Sequence, residues 1–139
     1  MEGALPTRHS SQRVIVLVYI FAFAVGTACH LVDIVQGGWL PYTRYNLALN
    51  VFWTTLTFLD PLAILLLAYR RRAGICLAVL IISLDVGVNL SVGVGEYNQT
   101  GRFTFWGLST QFPFGLFVWL TAPTLWSGEA ESGGLGERR

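Results

Sequence analysis

The sequence predicts an all-α membrane protein, a bundle of four transmembrane helices with both termini in the cytosol. Hydrophobic residues make up 53% of the 139-residue chain and charged residues only 12%, whereas about a quarter of the residues in soluble domains are charged. The apolar residues fall into four long runs, and most of the arginines lie on one side of them. A chain of this length forms one domain at most.

Each apolar run is long enough to cross a bilayer as a helix. A span needs about 20 apolar residues, because the hydrocarbon core is about 30 Å thick and a helix rises about 1.5 Å per residue. The predicted transmembrane domain, 14–126, lies between a cytosolic N-terminal tail, 1–13, and a Gly/Ser/Glu-rich cytosolic tail, 127–139, which we predict to be disordered. The predicted spans are residues 14–35, 47–69, 73–95 and 103–126.

The short connections and the arginines predict the orientation. The triplet 70–72 is all arginine and joins spans two and three in a tight hairpin, while residues 96–102 form a polar loop before span four. With the N terminus inside, seven arginines lie on the cytosolic side and only Arg44 and Arg102 outside. Arginine-rich loops favour the cytosolic side, and tryptophans and tyrosines are expected to anchor the membrane interfaces. Because a chain without lysine fits a GC-rich bacterial genome, we expect a bacterial inner membrane.

Two aspartates are predicted to lie inside the bilayer. Asp60 is 13 residues after the start of span two, and Asp85 is 12 residues after the start of span three. An aspartate near the middle of a span costs about 2.5–3.5 kcal/mol on insertion scales, so it normally faces protein or water. No lysine or arginine lies within a span, and His30 is the one basic partner in reach. The two aspartates are therefore either neutral hydrogen-bonding groups or groups that bind protons.

Other polar residues share a helix face with these aspartates. Residues three, four or seven apart lie on one face of a helix, so inward-facing stripes would enclose a polar cavity that opens outward and is closed by apolar side chains inside. The predicted lining is Asn50, Thr54, Thr57, Asp60, Asp85, Asn89 and Gln111, with His30 and Asp33 as secondary candidates at the outer end of span one. The alternatives are hydrogen bonds that only fix helix packing, a helix irregularity at Asp60-Pro61, and a hydrated interfacial pair at His30 and Asp33.

Several classes of function are disfavoured by what the spans contain. Cys29 and Cys76 lie in different spans near opposite faces, with no C-x-x-C motif, which argues against quinone-coupled thiol redox chemistry. A bis-histidine haem bundle needs paired histidines, and only His30 lies in a span. The arginines form no basic face for nucleic acid. We identify no catalytic residue, metal site or cofactor, and the chain is more consistent with a non-enzyme.

The acidic residues at the outer end and in the spans allow one comparison with a known family. With His30, Asp33, Asp60 and Asp85, the chain resembles the emopamil-binding (EXPERA) proteins, sterol-handling four-helix proteins with acidic residues in a membrane cavity. The resemblance is architectural, and no motif aligns. Small multidrug transporters are similar in size, but they carry an acidic residue in the middle of span one, where this chain has only Asp33 at the end. No family is assigned.

Three functional hypotheses follow from the sequence. The first is a protein that binds a small molecule or a lipid in the predicted cavity. The second is an accessory subunit of a membrane-protein partner, in which the buried polar groups only hold helices together. The third is a proton-coupled transporter in which Asp60 or Asp85 titrates, and a bundle of this size would then act as a homo-oligomer.

Overall fold

The fold is all-α in a computed structural model that describes residues 8–103 and 106–136. Helices that follow each other in the chain pack side by side, and the first helix also contacts the last, so the helices form a bundle. They are α1 (Arg8–Gly37), α2 (Leu47–Tyr69), α3 (Arg71–Thr100) and α4 (Trp106–Gly136).

Three of these helices are long and apolar enough to cross a membrane, which supports a membrane protein. They are Ser10–Gly37 within α1, the whole of α2 and the whole of α3. The fourth predicted span, 103–126, corresponds to α4, which is not among the three within the described part of the chain. Its many tryptophan, proline, glycine, serine and threonine residues lower its hydropathy. The fourth crossing therefore stays a prediction.

The ends of the helices differ from the predicted spans except in α2, which has the predicted bounds 47–69. The helix α3 continues through most of the predicted loop 96–102 and ends at Thr100. The next residue, Gly101, caps it with a left-handed φ of 68° and an N–H that donates to the carbonyl of Tyr97. The helix α4 runs to Gly136, through most of the tail predicted to be disordered. Polar residues mark where a helix leaves the apolar layer, and they do not by themselves end it.

The bundle has a loop end and a hairpin end, which differ in how they connect the helices. At the loop end, residues 38–46 join α1 to α2, and the Asn46 side chain caps α2 by accepting from the N–H of Leu49 at 3.0 Å. At the hairpin end, Arg70 alone separates α2 from α3. Gly74 lets α3 pack directly on α2 there, since an added Cβ would lie 2.7 Å from the carbonyl carbon of Leu66.

The half of the bundle near the hairpin end is solidly packed. The helices α1 and α4 are joined there by the Tyr19 hydroxyl, which donates to the carbonyl of Val118 at 2.9 Å, and by Gln12, which donates to the carbonyl of Thr124 at 3.1 Å. The apolar core of this half includes Tyr19, Ala63, Leu67, Ile75, Ala78, Val118 and Leu125. The open space lies in the other half, toward the loop end.

Candidate functional site

A cavity of about 910 Å³ lies between the four helices in the half near the loop end. Its walls are largely apolar and aromatic, with Phe23 of α1, Leu56 of α2 and Phe114 of α4 among them. The lining also carries four hydrogen-bonding side chains from α2, α3 and α4, of which Asp60 and Asp85 are buried and Asn89 and Gln111 are half-buried. Ligand cavities in proteins combine apolar walls with a few placed polar groups in this way.

The carboxyl group of Asp60 opens onto the cavity and is not sealed inside the packed protein. The residue is only 4% exposed, lines the cavity, and makes no hydrogen bond among the described residues. Its Oδ2 packs against Gly26 of α1, where an added Cβ would lie 2.6 Å from that oxygen. Glycine at position 26 therefore makes room for the carboxyl group between α1 and α2.

The second carboxyl group is held by neighbours. Asn89 lies one turn after Asp85 on α3, and its Nδ2 donates to both Oδ1 and the main-chain carbonyl of Asp85, each at 2.9 Å. The side chain of Gln111 on α4 approaches the same carboxyl group. The Oδ1 of Asn89 packs in turn against Gly107 of α4. The cavity thus contains one satisfied and one unsatisfied carboxyl group.

The mouth of the cavity is formed by a chain of hydrogen bonds around Tyr42, which lies in the connection between α1 and α2. The Tyr42 hydroxyl donates to Oδ2 of Asp33 at 2.8 Å and lies 2.7 Å from Nδ1 of His30. A hydroxyl has one proton, so His30 Nδ1–H is the donor in the second bond. Burial raises the pKa of Tyr42 above its usual value of 10, and the bond to Asp33 raises it further.

The polar stripe predicted on α2 is buried as a whole, but Asp60 alone of the stripe lines the cavity. Asn50 accepts from the N–H of Tyr42 at 3.1 Å and donates to the carbonyl of Leu40 at 3.0 Å, so it fixes the connection between α1 and α2. The hydroxyl of Thr54 donates to the carbonyl of Asn50, and the hydroxyl of Thr57 is buried with no partner in the described structure.

Aromatic residues of the site were not predicted from the sequence. The interpretation of tryptophans as interface anchors is wrong for Trp53, which is 7% exposed and lines the cavity. Its ring packs edge-on against Tyr42 and Tyr45, with centroid distances of 5.4 and 4.9 Å. The signal was present, because Trp53 follows Asn50 by three residues and so lies on the same face of α2.

The predicted residues that the cavity brings together are Asp60, Asp85, Asn89 and Gln111, with His30 and Asp33 at its mouth. Cys29 and Cys76 are both free and exposed, and Cys29 also lines the cavity. Within residues 8–103 and 106–136, no group of three or more His, Cys, Asp or Glu side chains is placed to hold a metal ion. Comparisons with protein-family models, curated proteins and solved structures find no match for this chain.

Proposed function

We propose that this protein binds a small molecule or a lipid in the cavity between its helices. The observation that carries the proposal is the Asp60 side chain, which is 4% exposed, makes no hydrogen bond to the described residues and lines a cavity of about 910 Å³. This volume lies within the range of about 300–1,000 Å³ typical of ligand cavities. A hydrogen-bond donor on the ligand would give Asp60 the partner that the protein lacks.

The packing of Asp60 favours binding over a purely structural role. A polar residue that only holds helices together bonds to a group on a neighbouring helix. Asp60 instead meets Gly26 of α1, which offers a surface and no hydrogen-bonding side chain. A ligand that donates a hydrogen bond to Asp60 would explain why no neighbouring helix does so.

The proposed setting is a bacterial inner membrane, crossed four times with both termini in the cytosol. The excess of arginine at the hairpin end supports the orientation, and the apolar run in α4 supports the fourth crossing. The bacterial setting rests on the absence of lysine alone. Single cysteines introduced into a cysteine-free variant test the orientation with a membrane-impermeant thiol reagent. Positions 8 and 136 should react only from the cytosolic side, and positions 42 and 99 only from the outside. Labelling of position 99 from the cytosolic side alone would overturn the proposed topology.

The binding proposal is tested by a thermal-shift screen of membrane lipids and small metabolites on the purified protein. Compounds that bind the cavity should raise the melting temperature of the wild type more than that of Asp60→Asn, which keeps the shape of the side chain. The same compounds should slow maleimide alkylation of Cys29, which lines the cavity, and leave the rate at Cys76 unchanged. Equal shifts in both proteins with no protection of Cys29 would place binding elsewhere.

A further inference from the structure

A second groove lies at the loop end, on the outer side of the cavity wall between the start of α2 and the end of α3. Its volume is about 1,060 Å³. Both arginines that the sequence places at this end, Arg44 and Arg102, line it, together with Glu96. Two positive charges and one negative charge leave a net charge of +1 at the groove, so its charge favours an anionic ligand.

The guanidinium groups are accessible to such a ligand. Arg44 is 78% exposed, and its nearest approach to Oε1 of Glu96 is 3.9 Å, longer than the roughly 2.7–2.9 Å of a charge-assisted hydrogen bond. Exposed pairs of this kind contribute little to stability. Arg102 is also exposed. A phosphate group would offer Arg44 a two-point hydrogen bond that Glu96 does not make.

The rest of the groove is half polar and half apolar. The polar residues of the rim are Asn46, Ser91, Gln99 and Thr100, and the hydroxyls of Ser91 and Thr100 donate to carbonyls of their own helix. The ring of Tyr45, which lies under the Arg44 guanidinium, and Ala48, Leu49, Val92 and Gly95 form the rest of the wall. On α2 this wall adjoins Leu47 and Val51, which are exposed to the surroundings of the bundle. The charges thus lie beside an apolar helix surface that would face lipid tails in a membrane.

We propose that this groove binds the headgroup of an anionic phospholipid, with Arg44 and Arg102 donating to the phosphate and an acyl chain lying along α2 beside Leu47 and Val51. A lipid fits both the polar rim and the apolar wall of the groove, whereas a free phosphate would contact only the rim. Arg44 and Glu96 line the groove and the cavity alike. The lipid therefore contacts the wall that the two spaces share.

The test measures the affinity of the purified full-length protein for short-chain phosphatidylglycerol by isothermal titration in a non-ionic detergent. Two double variants are compared with the wild type. R44Q/R102Q removes the charges of the groove, and R13Q/R70Q removes the same charge at the hairpin end. We expect about tenfold weaker binding in R44Q/R102Q and a change of less than twofold in R13Q/R70Q. Equal weakening in both variants would overturn the site, since charge alone would then explain the binding.

Two further ligands keep the proposal falsifiable if R44Q/R102Q does not fold. The wild type should bind dioctanoylglycerol, which lacks the phosphate, at least tenfold more weakly than phosphatidylglycerol. Inorganic phosphate should also bind at least tenfold more weakly, because it does not contact the apolar wall. Equal affinity for the phosphate-free lipid would refute recognition by the arginines, and equal affinity for inorganic phosphate would refute a lipid as the occupant.

Discussion

The unpaired carboxyl group of Asp60 leads to an unusual expectation, which is that removing it stabilises the ligand-free protein. In Asp60→Ala, the missing side chain enlarges a cavity that is already open, so little apolar packing is lost. The variant also removes a polar group of the cavity wall that has no hydrogen-bond partner among the described residues. Such groups destabilise by about 1–3 kcal/mol when they are sealed from water. Because a polar cavity of this size has room for water, we expect a gain toward the lower end, about 1 kcal/mol.

The matched control is Asp85→Ala, in the same cavity. Here the substitution removes the contact with Gln111 and a hydrogen bond from Asn89, although Asn89 keeps its bond to the main-chain carbonyl of residue 85. Hydrogen bonds between side chains in membrane proteins contribute about 0.6 kcal/mol on average, so a loss of this order is expected. Both changes replace aspartate by alanine within a helix, so the gain in helix propensity is similar and cancels in the comparison.

The assay is equilibrium unfolding in mixed micelles with increasing fractions of sodium dodecyl sulfate, followed by helical circular dichroism. Asp60→Ala should unfold at a higher fraction of denaturant than the wild type. Asp85→Ala should gain stability at most by the difference in helix propensity between aspartate and alanine, which both variants share. A midpoint for Asp60→Ala at or below that of Asp85→Ala would refute the reasoning, because Asp60 would then be stabilised by contacts in the folded protein.

Two other expectations follow from the packing at the two ends of the bundle. Gly74→Ala should destabilise the fold by roughly 1–3 kcal/mol, because the new Cβ would meet main-chain atoms of α2. The control Gly87→Ala, with open space around the new Cβ, should be neutral or up to about 1 kcal/mol stabilising. Equal melting temperatures of the two variants would contradict the close contact of α2 and α3. Burial and Asp33 raise the pKa of Tyr42 in the folded protein, so on raising the pH the tyrosine ionises first in the unfolded chain. The stabilising effect of the Tyr42 hydroxyl is therefore complete below pH 10 and is lost as the pH rises above that value. Tyr42→Phe should therefore lose less stability above pH 10 than the wild type, and parallel pH profiles would contradict the buried contact.

Much of the fold was predictable because hydropathy depends on local sequence. The lengths of the apolar runs predicted the helices, and a single connecting residue, Arg70, produced the hairpin between α2 and α3. The ends of α3 and α4 were less predictable, since a helix can continue in water after leaving the apolar layer. The polar residues Glu96 to Thr100 still form helical turns, and a left-handed glycine, Gly101, ends α3.

The site was predictable only in part, because helical periodicity shows which face is buried and not which residue reaches a cavity. The stripe that contains Asn50, Thr57 and Asp60 is buried, yet Asn50 is used to hold the connection to α1. The placement of Tyr42 between His30 and Asp33 depends on how that connection folds back over α1. Such contacts arise from tertiary packing, and a one-dimensional pattern does not contain them.

The most direct test of a ligand site at Asp60 is native mass spectrometry of the protein released from detergent, with the wild type and Asp60→Asn purified side by side. The wild type should retain a bound small molecule or lipid at a defined stoichiometry, and Asp60→Asn should lose most of that occupancy while remaining folded. The same bound species at equal occupancy in both proteins, or no bound species in the wild type, would contradict the proposal that Asp60 lies at the centre of a binding site.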